Sequence, residues 1–168
     1  MRLHEMTMRT SNFDDLADNY AKTNANRWRT RAKPIGLIDR YVVKQDGMYY
    51  SVWDDNTMVA SLSISSQTPS IIDDVWVSRT HRGQKIFSKM LQFAIIKLKK
   101  HTLMFGDVHS MTTYEIVRDG LSNFKKTWFN IRTNEIMPHS EKILDKVYSS
   151  RAPTAWRLLL TMKDISDK

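Results

Sequence analysis

A short basic segment, "VSRTHRGQKIFSKML", has the clearest potential for chemistry in this sequence. A strand-like run ends at Val77, a turn follows, and an amphipathic helix then begins. The turn carries three cations, Arg79, Arg82 and Lys85. Backbone N–H groups at the start of a helix, next to a glycine such as Gly83, commonly bind phosphate groups. The segment therefore predicts an anion-binding loop.

Two residues of this loop leave its function open. Loops that hold phosphates normally use several small residues. Here Gly83 is present, but Lys85 and Phe87 stand where two more small residues would be expected. A ring at a position of close approach either turns into the core or blocks the ligand. Phe87 shares a helical ridge with Leu91 and Ile95, which favours the core.

The overall composition narrows the classes of partner and chemistry. Lys and Arg number 26 against 18 Asp and Glu, which gives a net charge of +8 and favours an anionic partner such as nucleic acid, an acidic protein or a phosphorylated cofactor. The absence of cysteine excludes disulfides and a thiolate nucleophile, and the five histidines lack metal-ligand spacing, so we expect no metal. No apolar run is long enough to cross a membrane, and the first residues lack the apolar core of a signal peptide. We therefore expect a cytoplasmic protein.

A second basic stretch, "NRWRTRAKP", surrounds Trp28 with cations. One interpretation is a solvated connector. The other is an arm that contacts an anion, because cations beside an aromatic plane suit phosphates and bases.

The elements that must position these residues follow from periodicity and turn signals. "RLHEMTM" predicts a first strand, and a helix should begin at Ser11 with an apolar face of Phe13, Leu16, Ala17, Tyr20 and Ala21. Turns at Asp46-Gly47 and Asp54–Asn56 separate three strands, the third half-buried by alternation. The remaining order is "SIIDDVWVS" as a strand, a helix from 86, "TLMFGDV" as a strand, a helix from Ser110 to Gly120, "TWFNIRT" as a strand, a helix in "SEKILDKVYSS", and a closing strand "AWRLLLTM".

This order predicts one mixed α/β domain over residues 1–168, with about seven mostly antiparallel strands flanked by helices. Together with "DDVWVSRTHRGQKIFSKML", it resembles the GNAT family, the Gcn5-related N-acetyltransferases. The resemblance in motifs covers residues 72–121. The segment "FGDVHSMTTYEIVRDGL" is also similar to compact, phage-encoded members of the family.

The resemblance implies a site for acetyl-CoA. In the family, the loop after the fourth strand holds the pyrophosphate through backbone N–H groups, and the strand edge pairs with the pantetheine amides. Carried over to this sequence, the family site implies a set of cofactor-binding residues in one segment: Trp76, Val77, Arg82, Gly83, Gln84, Lys85, Ile86, Phe87 and Ser88.

Acyl transfer to an amine also needs a base, and it benefits from an acid for the leaving thiolate. Asp73 and Asp74 are the base candidates, and strand alternation is expected to send one to each face. The alternative for this pair is a polar strand end. The family often places an acid Tyr where this chain has Ile116. Tyr114, two residues earlier, is the catalytic candidate here or else a half-buried core residue.

Three functions remain open at this stage. The first is an acyl-CoA-dependent N-acyltransferase that acetylates an amine of a protein, a small molecule or a nucleic acid. The second is a catalytically inactive GNAT-like protein, phage-encoded and directed at a host protein or nucleic acid. The third is a nucleic-acid binder that uses "NRWRTRAKP" and the Lys97–Lys100 end of the central helix.

Overall fold

The computed structural model describes residues 3–67, 69–100, 102–105, 117–118, 121–149 and 155–163, without the side chains of 3–14 and 149. These residues form a mixed α/β fold in which three α-helices flank a mostly antiparallel sheet, which confirms the predicted class. Within the described ranges there are nine strands rather than about seven. The chain divides into two compact units, Met1–Ser63 with Asp74–Ile86, and Ile64–Asp73 with Phe87–Lys168.

The first unit contains one long helix and a series of antiparallel strands. Its elements are α1 (Leu3–Arg31), β1 (Lys33–Ile38), β2 (Tyr41–Asp46), β3 (Tyr49–Asp54), β4 (Thr57–Ile64) without its last residue, and the second half of β5 (Ser70–Val77). β1, β2, β3 and β4 pair in sequence order. The turns between them use Asp39, Gly47 and Asp55 at φ of 52°, 60° and 51°, a left-handed conformation that Gly and Asp tolerate. The two predicted turns are therefore confirmed.

Helix α1 is much longer than predicted. The predicted strand "RLHEMTM" is wrong, because the helix already begins at Leu3, and no Gly or Pro interrupts the chain from there to Arg31. The connector interpretation of "NRWRTRAKP" is also wrong for its first six residues, which complete the helix. β1 then begins at Lys33, because Pro34 disfavours helical backbone at the residue that precedes it.

The buried face of α1 combines small alanines with one large ring. Ala21, Ala25 and Trp28 are buried against Trp53 and Met58 of the strands. The predicted apolar face is wrong at two positions, because the side chains of Leu16 and Tyr20 are 65% and 56% exposed. Alanine at the contact lets the helix backbone approach the strands closely, so the larger apolar residues are not needed there.

Strand β4 is covered on both faces rather than one. Every residue from Met58 to Ile64 is buried, including Ser61 and Ser63 at 6% and 4% exposure. The alternation of serine with apolar residues predicted a half-buried strand. Serine is small enough to be covered as well, so this prediction is wrong.

The second unit contains the rest of the sheet and two helices. Its elements are the first half of β5, α2 (Ile86–Lys97), β6 (Leu103–Phe105), β7 (Phe124–Asn130), β8 (Ile136–Pro138), α3 (Glu141–Ser149) and β9 (Trp156–Met162), with the first residue of α2 assigned to the first unit. β6 runs parallel to β5 and antiparallel to β9, and β7 lies between β9 and β8. The helix predicted from Ser110 to Gly120 falls outside the described residues, apart from 117–118.

Candidate functional site

The loop between β5 and α2 is a compact turn fixed at its first residue. Ser78 donates its backbone N–H to Val59 O at 2.8 Å, which continues the pairing of β4 with β5. A 3-10 turn over Arg79–His81 follows, and α2 begins at Ile86. The predicted order of strand, basic loop and helix is therefore present.

The end of the loop has a backbone conformation that favours anions. Gly83 and Lys85 have φ of 82° and 58°. A Cβ added at Gly83 would meet no atom within 4 Å, so the space over this residue is open. The first N–H groups of α2 have no partner inside the helix, and the positive end of the helix dipole lies here. An anion can therefore approach the backbone at Gly83 without a steric barrier.

A tyrosine of β2 holds the middle of the loop. The hydroxyl of Tyr41, whose side chain is buried, donates to Gln84 Oε1 at 3.2 Å. The same ring contacts the imidazole of His81 edge-on at 6.0 Å between centroids, and the guanidinium of Arg40 lies 5.2 Å over it. The loop is therefore positioned by the sheet as well as by its own turn.

The three loop cations differ in what they can offer a ligand. Arg79 is engaged by two carboxylates of α1, Asp15 at 2.7 Å and Asp18 at 2.9 Å. The Nε of Arg82 donates to the carbonyl of Val77 at 3.2 Å. Lys85 is exposed, and no ion pair with a described residue holds its ammonium. Lys85 therefore adds an exposed positive charge at the end of the loop.

A narrow pocket of about 150 Å³ lies beside α1. Its wall is largely aromatic, with Tyr20, Trp28, Tyr49 and Trp76, and Asp74 of β5 lines it as well. The rings of Trp28 and Tyr49 lie 5.3 Å apart between centroids. Aromatic faces and a carboxylate together attract a cation, so the pocket suits an ammonium group.

A search of family models supplies the assignment. The chain matches the "Acetyltransferase (GNAT) family" over residues 13–114, which is more than half of its length. The chain belongs to the GNAT family. A search of curated proteins gave no match. The matched range of this GNAT domain includes the loop, the aromatic pocket and all of α2.

The residues expected to bind the cofactor lie together in one segment, with two kinds of exposure. Arg82, Gly83, Gln84 and Lys85 are exposed, whereas the side chains of Val77, Ile86, Phe87 and Ser88 are buried. Trp76 donates its indole N–H to Asp18 Oδ1 at 3.0 Å. The buried members can therefore offer only backbone groups to a ligand.

Phe87 does not stand in the way of a ligand. Its ring is 5% exposed and stacks on Phe105, with 5.8 Å between centroids and 28° between planes. Of the two alternatives for this residue, the core is the one found.

The catalytic candidates are placed as follows. Asp73 and Asp74 are both exposed, and Asp74 has left-handed backbone with φ of 53°. Asp74 lines the aromatic pocket, and Asp73 is not among its lining residues. Tyr114 lies outside the described residues.

Sequence reasoning missed most of the aromatic wall. Trp28 was assigned to a basic stretch, and Tyr49 was seen only as a strand residue. The available signal was the spacing of Ala21, Ala25 and Trp28 at i, i+4 and i+7, which places them on one helix face. That spacing turns the ring of Trp28 toward the strands.

Proposed function

We propose that the protein is an acyl-CoA-dependent N-acyltransferase that transfers the acetyl group of acetyl-CoA to an amine. The observation that carries this proposal is that Asp74 lines an aromatic pocket, in a chain of the GNAT family. The segment Arg82–Ile86 serves as the site for the pyrophosphate, and Asp74 serves as the base.

The loop residues fit such a cofactor. The space that a Cβ at Gly83 would occupy is open, the backbone at Gly83 and Lys85 is left-handed, and the ring of Phe87 is buried in the core. Lys85 adds a cation for the phosphates. When bound, acetyl-CoA would supply the activated acyl thioester.

The residues of the pocket then act on the acceptor. An amine is mostly protonated at neutral pH and cannot attack in that form. The faces of Trp76 and Tyr49 and the carboxylate of Asp74 attract the ammonium, and Asp74 accepts the proton that the nitrogen loses. A volume of about 150 Å³ has room for one slender amine-bearing chain at a time.

Thiol release from acetyl-CoA in the presence of a panel of amines tests the proposal. The protein contains no cysteine, so a thiol reagent reads only the CoA that is released. We expect Asp74→Asn to lower kcat/KM by roughly 10²- to 10⁴-fold, the usual contribution of a general base.

A matched control exists in the same chain. Asp55 is also an exposed aspartate with left-handed backbone, and asparagine tolerates that conformation. Asp55→Asn should leave the rate within about twofold. If Asp73→Asn abolished transfer while Asp74→Asn did not, the base assignment would be wrong. If no amine in the panel gave thiol release, transferase activity would be refuted.

One observation favours a second candidate, a GNAT-like binding protein without catalysis. Two of the three loop cations make contacts inside the protein, since Arg79 pairs with Asp15 and Asp18, and Arg82 donates to Val77 O. This candidate predicts no thiol release with any amine, and stable capture of a host protein or nucleic acid by the purified chain.

A further inference from the structure

A second, wider cleft lies along α1 on the flank away from Asp74. Its volume is about 520 Å³, within the range of small-molecule sites. The floor is apolar, with Ala25, Met58 and Trp76, and the helix contributes Lys22, Asn26 and Arg29 to the lining. Asp74 and Tyr20, which line the aromatic pocket, do not line this cleft.

The helix places its polar residues in the cleft by their spacing. Lys22, Asn26 and Arg29 stand at i, i+4 and i+7, so they share one face of α1. The side chains of Arg27 and Arg31, on the same helix, are exposed and do not line the cleft. Of these four helix cations, Lys22 and Arg29 line the cleft.

Arg29 is held in place by neutral groups. Its Nη1 donates to Asn26 Oδ1 at 3.0 Å, and its Nη2 donates to the carbonyl of Asn56 at 3.3 Å. Its guanidinium also lies 5.8 Å over the ring of Trp53. A guanidinium has five N–H donors, so three remain after these two bonds. The side chain is thus fixed, with its charge uncompensated by either partner.

The acidic residue of the cleft is already engaged. Asp18 accepts from Trp76 Nε1 at 3.0 Å with one oxygen and from Arg79 Nε at 2.9 Å with the other. Asp15 provides a further carboxylate for Arg79. No ion pair with a described residue holds Lys22. The charge left for a ligand is therefore that of Lys22 and Arg29.

We propose that this cleft binds the phosphate monoester group of a small organic molecule, with its apolar part on Met58 and Trp76. A phosphate monoester carries nearly two negative charges at neutral pH and accepts several hydrogen bonds, which matches two neighbouring cations and the amide of Asn26. A concave floor with apolar residues favours a single small molecule over an extended polymer.

Phenyl phosphate is the probe, because it combines the two features, with inorganic phosphate and phenol as its separate halves. Binding is followed by isothermal titration calorimetry at low salt. We expect phenyl phosphate to bind more tightly than either half. The double variant Lys22→Gln/Arg29→Gln should weaken it by at least about tenfold, because each change removes a charge-assisted hydrogen bond.

The matched control is Arg27→Gln/Arg31→Gln, which removes the same charge from the same helix outside the cleft. It should change affinity by less than about twofold. The single variant Lys22→Gln alters only an exposed side chain, so it should fold normally. It should still bind phenyl phosphate more weakly than the wild-type protein, which tests the cleft even if Arg29→Gln lowers stability. Gly83→Trp should retain phenyl phosphate binding, which separates this cleft from the loop.

Equal losses in the two double variants would overturn the proposal, since they would indicate only a general charge effect. Absence of phenyl phosphate binding to the wild-type protein would do the same. A third arm uses a twelve-residue oligothymidylate, which offers phosphodiesters. If it binds through Lys22 and Arg29 and phenyl phosphate does not, the ligand is a nucleic acid and the small-molecule proposal is wrong.

Discussion

The two flanks of helix α1 present opposite chemistry although they share Ala21 and Trp76 in their walls. One flank is a narrow aromatic pocket with the carboxylate of Asp74. The other is a wide cleft with the cations of Lys22 and Arg29. The difference shows that a net charge of +8 says little about an individual site. The side of the helix on which each residue lies decides whether the flank attracts a cation or an anion.

Removal of Trp28, which packs helix α1 against the strands, should have the largest effect on both flanks. Trp28 is 4% exposed and packs in the cluster with Ala25 and Trp53. We expect Trp28→Ala to lower the free energy of unfolding by about 3 to 5 kcal/mol, because it leaves a large cavity under α1. Urea unfolding followed by circular dichroism measures this.

Trp28→Phe is the control for that experiment, since it keeps an aromatic ring in the pocket wall. Its loss of stability should be clearly smaller. A change below about 1 kcal/mol for Trp28→Ala would mean that α1 does not depend on this contact.

Two carboxylates of α1, Asp18 and Asp15, both contact Arg79. We expect their removal to cost less stability than Trp28→Ala, and by different amounts. Asp18 accepts hydrogen bonds from Trp76 and Arg79, and its side chain is 26% exposed. Asp18→Ala leaves the half-buried indole N–H of Trp76 without this acceptor, so we expect a loss of about 1 to 3 kcal/mol in the free energy of unfolding. Thermal and urea unfolding give the value.

Asp15→Ala is the matched change on the same helix. Asp15 contacts Arg79 from a position that is 72% exposed, where an ion pair contributes about 0 to 1 kcal/mol. Equal effects of the two substitutions would show that Asp18 does not link α1 to Trp76.

The titration of His139, in the second unit, should have the smallest effect on the free energy of unfolding. Variants of α1 should not alter it. Burial, followed by the positive charge of Lys126, holds the pKa of His139 below its ordinary value of 6.5. Trp128 Nε1 donates to His139 Nδ1 at 3.1 Å, which requires an unprotonated Nδ1. The unfolded chain therefore binds this proton first as the pH falls.

The resulting stability is complete above pH 6.5 and decreases as the pH drops from 6.5 toward the lower pKa of the folded state. We expect His139→Gln to flatten this part of the curve of unfolding free energy against pH. The α1 variants should keep the slope of the wild-type protein. If His139→Gln left the pH dependence of the free energy of unfolding unchanged, His139 would not be the group that titrates.

Much of the fold was predictable from local signals. The turns at Asp46-Gly47 and Asp54–Asn56, strand β5 and helix α2 follow from glycine and aspartate chemistry and from periodicity, which act within a few residues. The errors lie where tertiary packing decides. The alanine stripe of α1 has little apolar surface of its own, so Leu16 and Tyr20 suggested the wrong buried face.

The candidate site was predictable in its loop and not in its pockets. Arg82, Gly83 and Lys85 are consecutive or nearly so, and a local pattern describes them. The aromatic pocket combines Trp28 with Tyr49 and Trp76, which the sheet brings together from distant positions. The left-handed backbone at Asp74 carries no signal in an Asp-Asp pair.

A thermal and calorimetric titration with acetyl-CoA is the most direct test of the cofactor site that we propose at Gly83. At about 100 times the dissociation constant, acetyl-CoA should stabilise the wild-type protein by roughly 2.7 kcal/mol. Gly83→Trp should abolish this gain, because the ring fills the open space over the loop. Gly47→Trp, at a glycine with the same left-handed backbone and open space, should retain it. No binding by the wild-type protein at millimolar acetyl-CoA, or equal binding by Gly83→Trp, would contradict the claim.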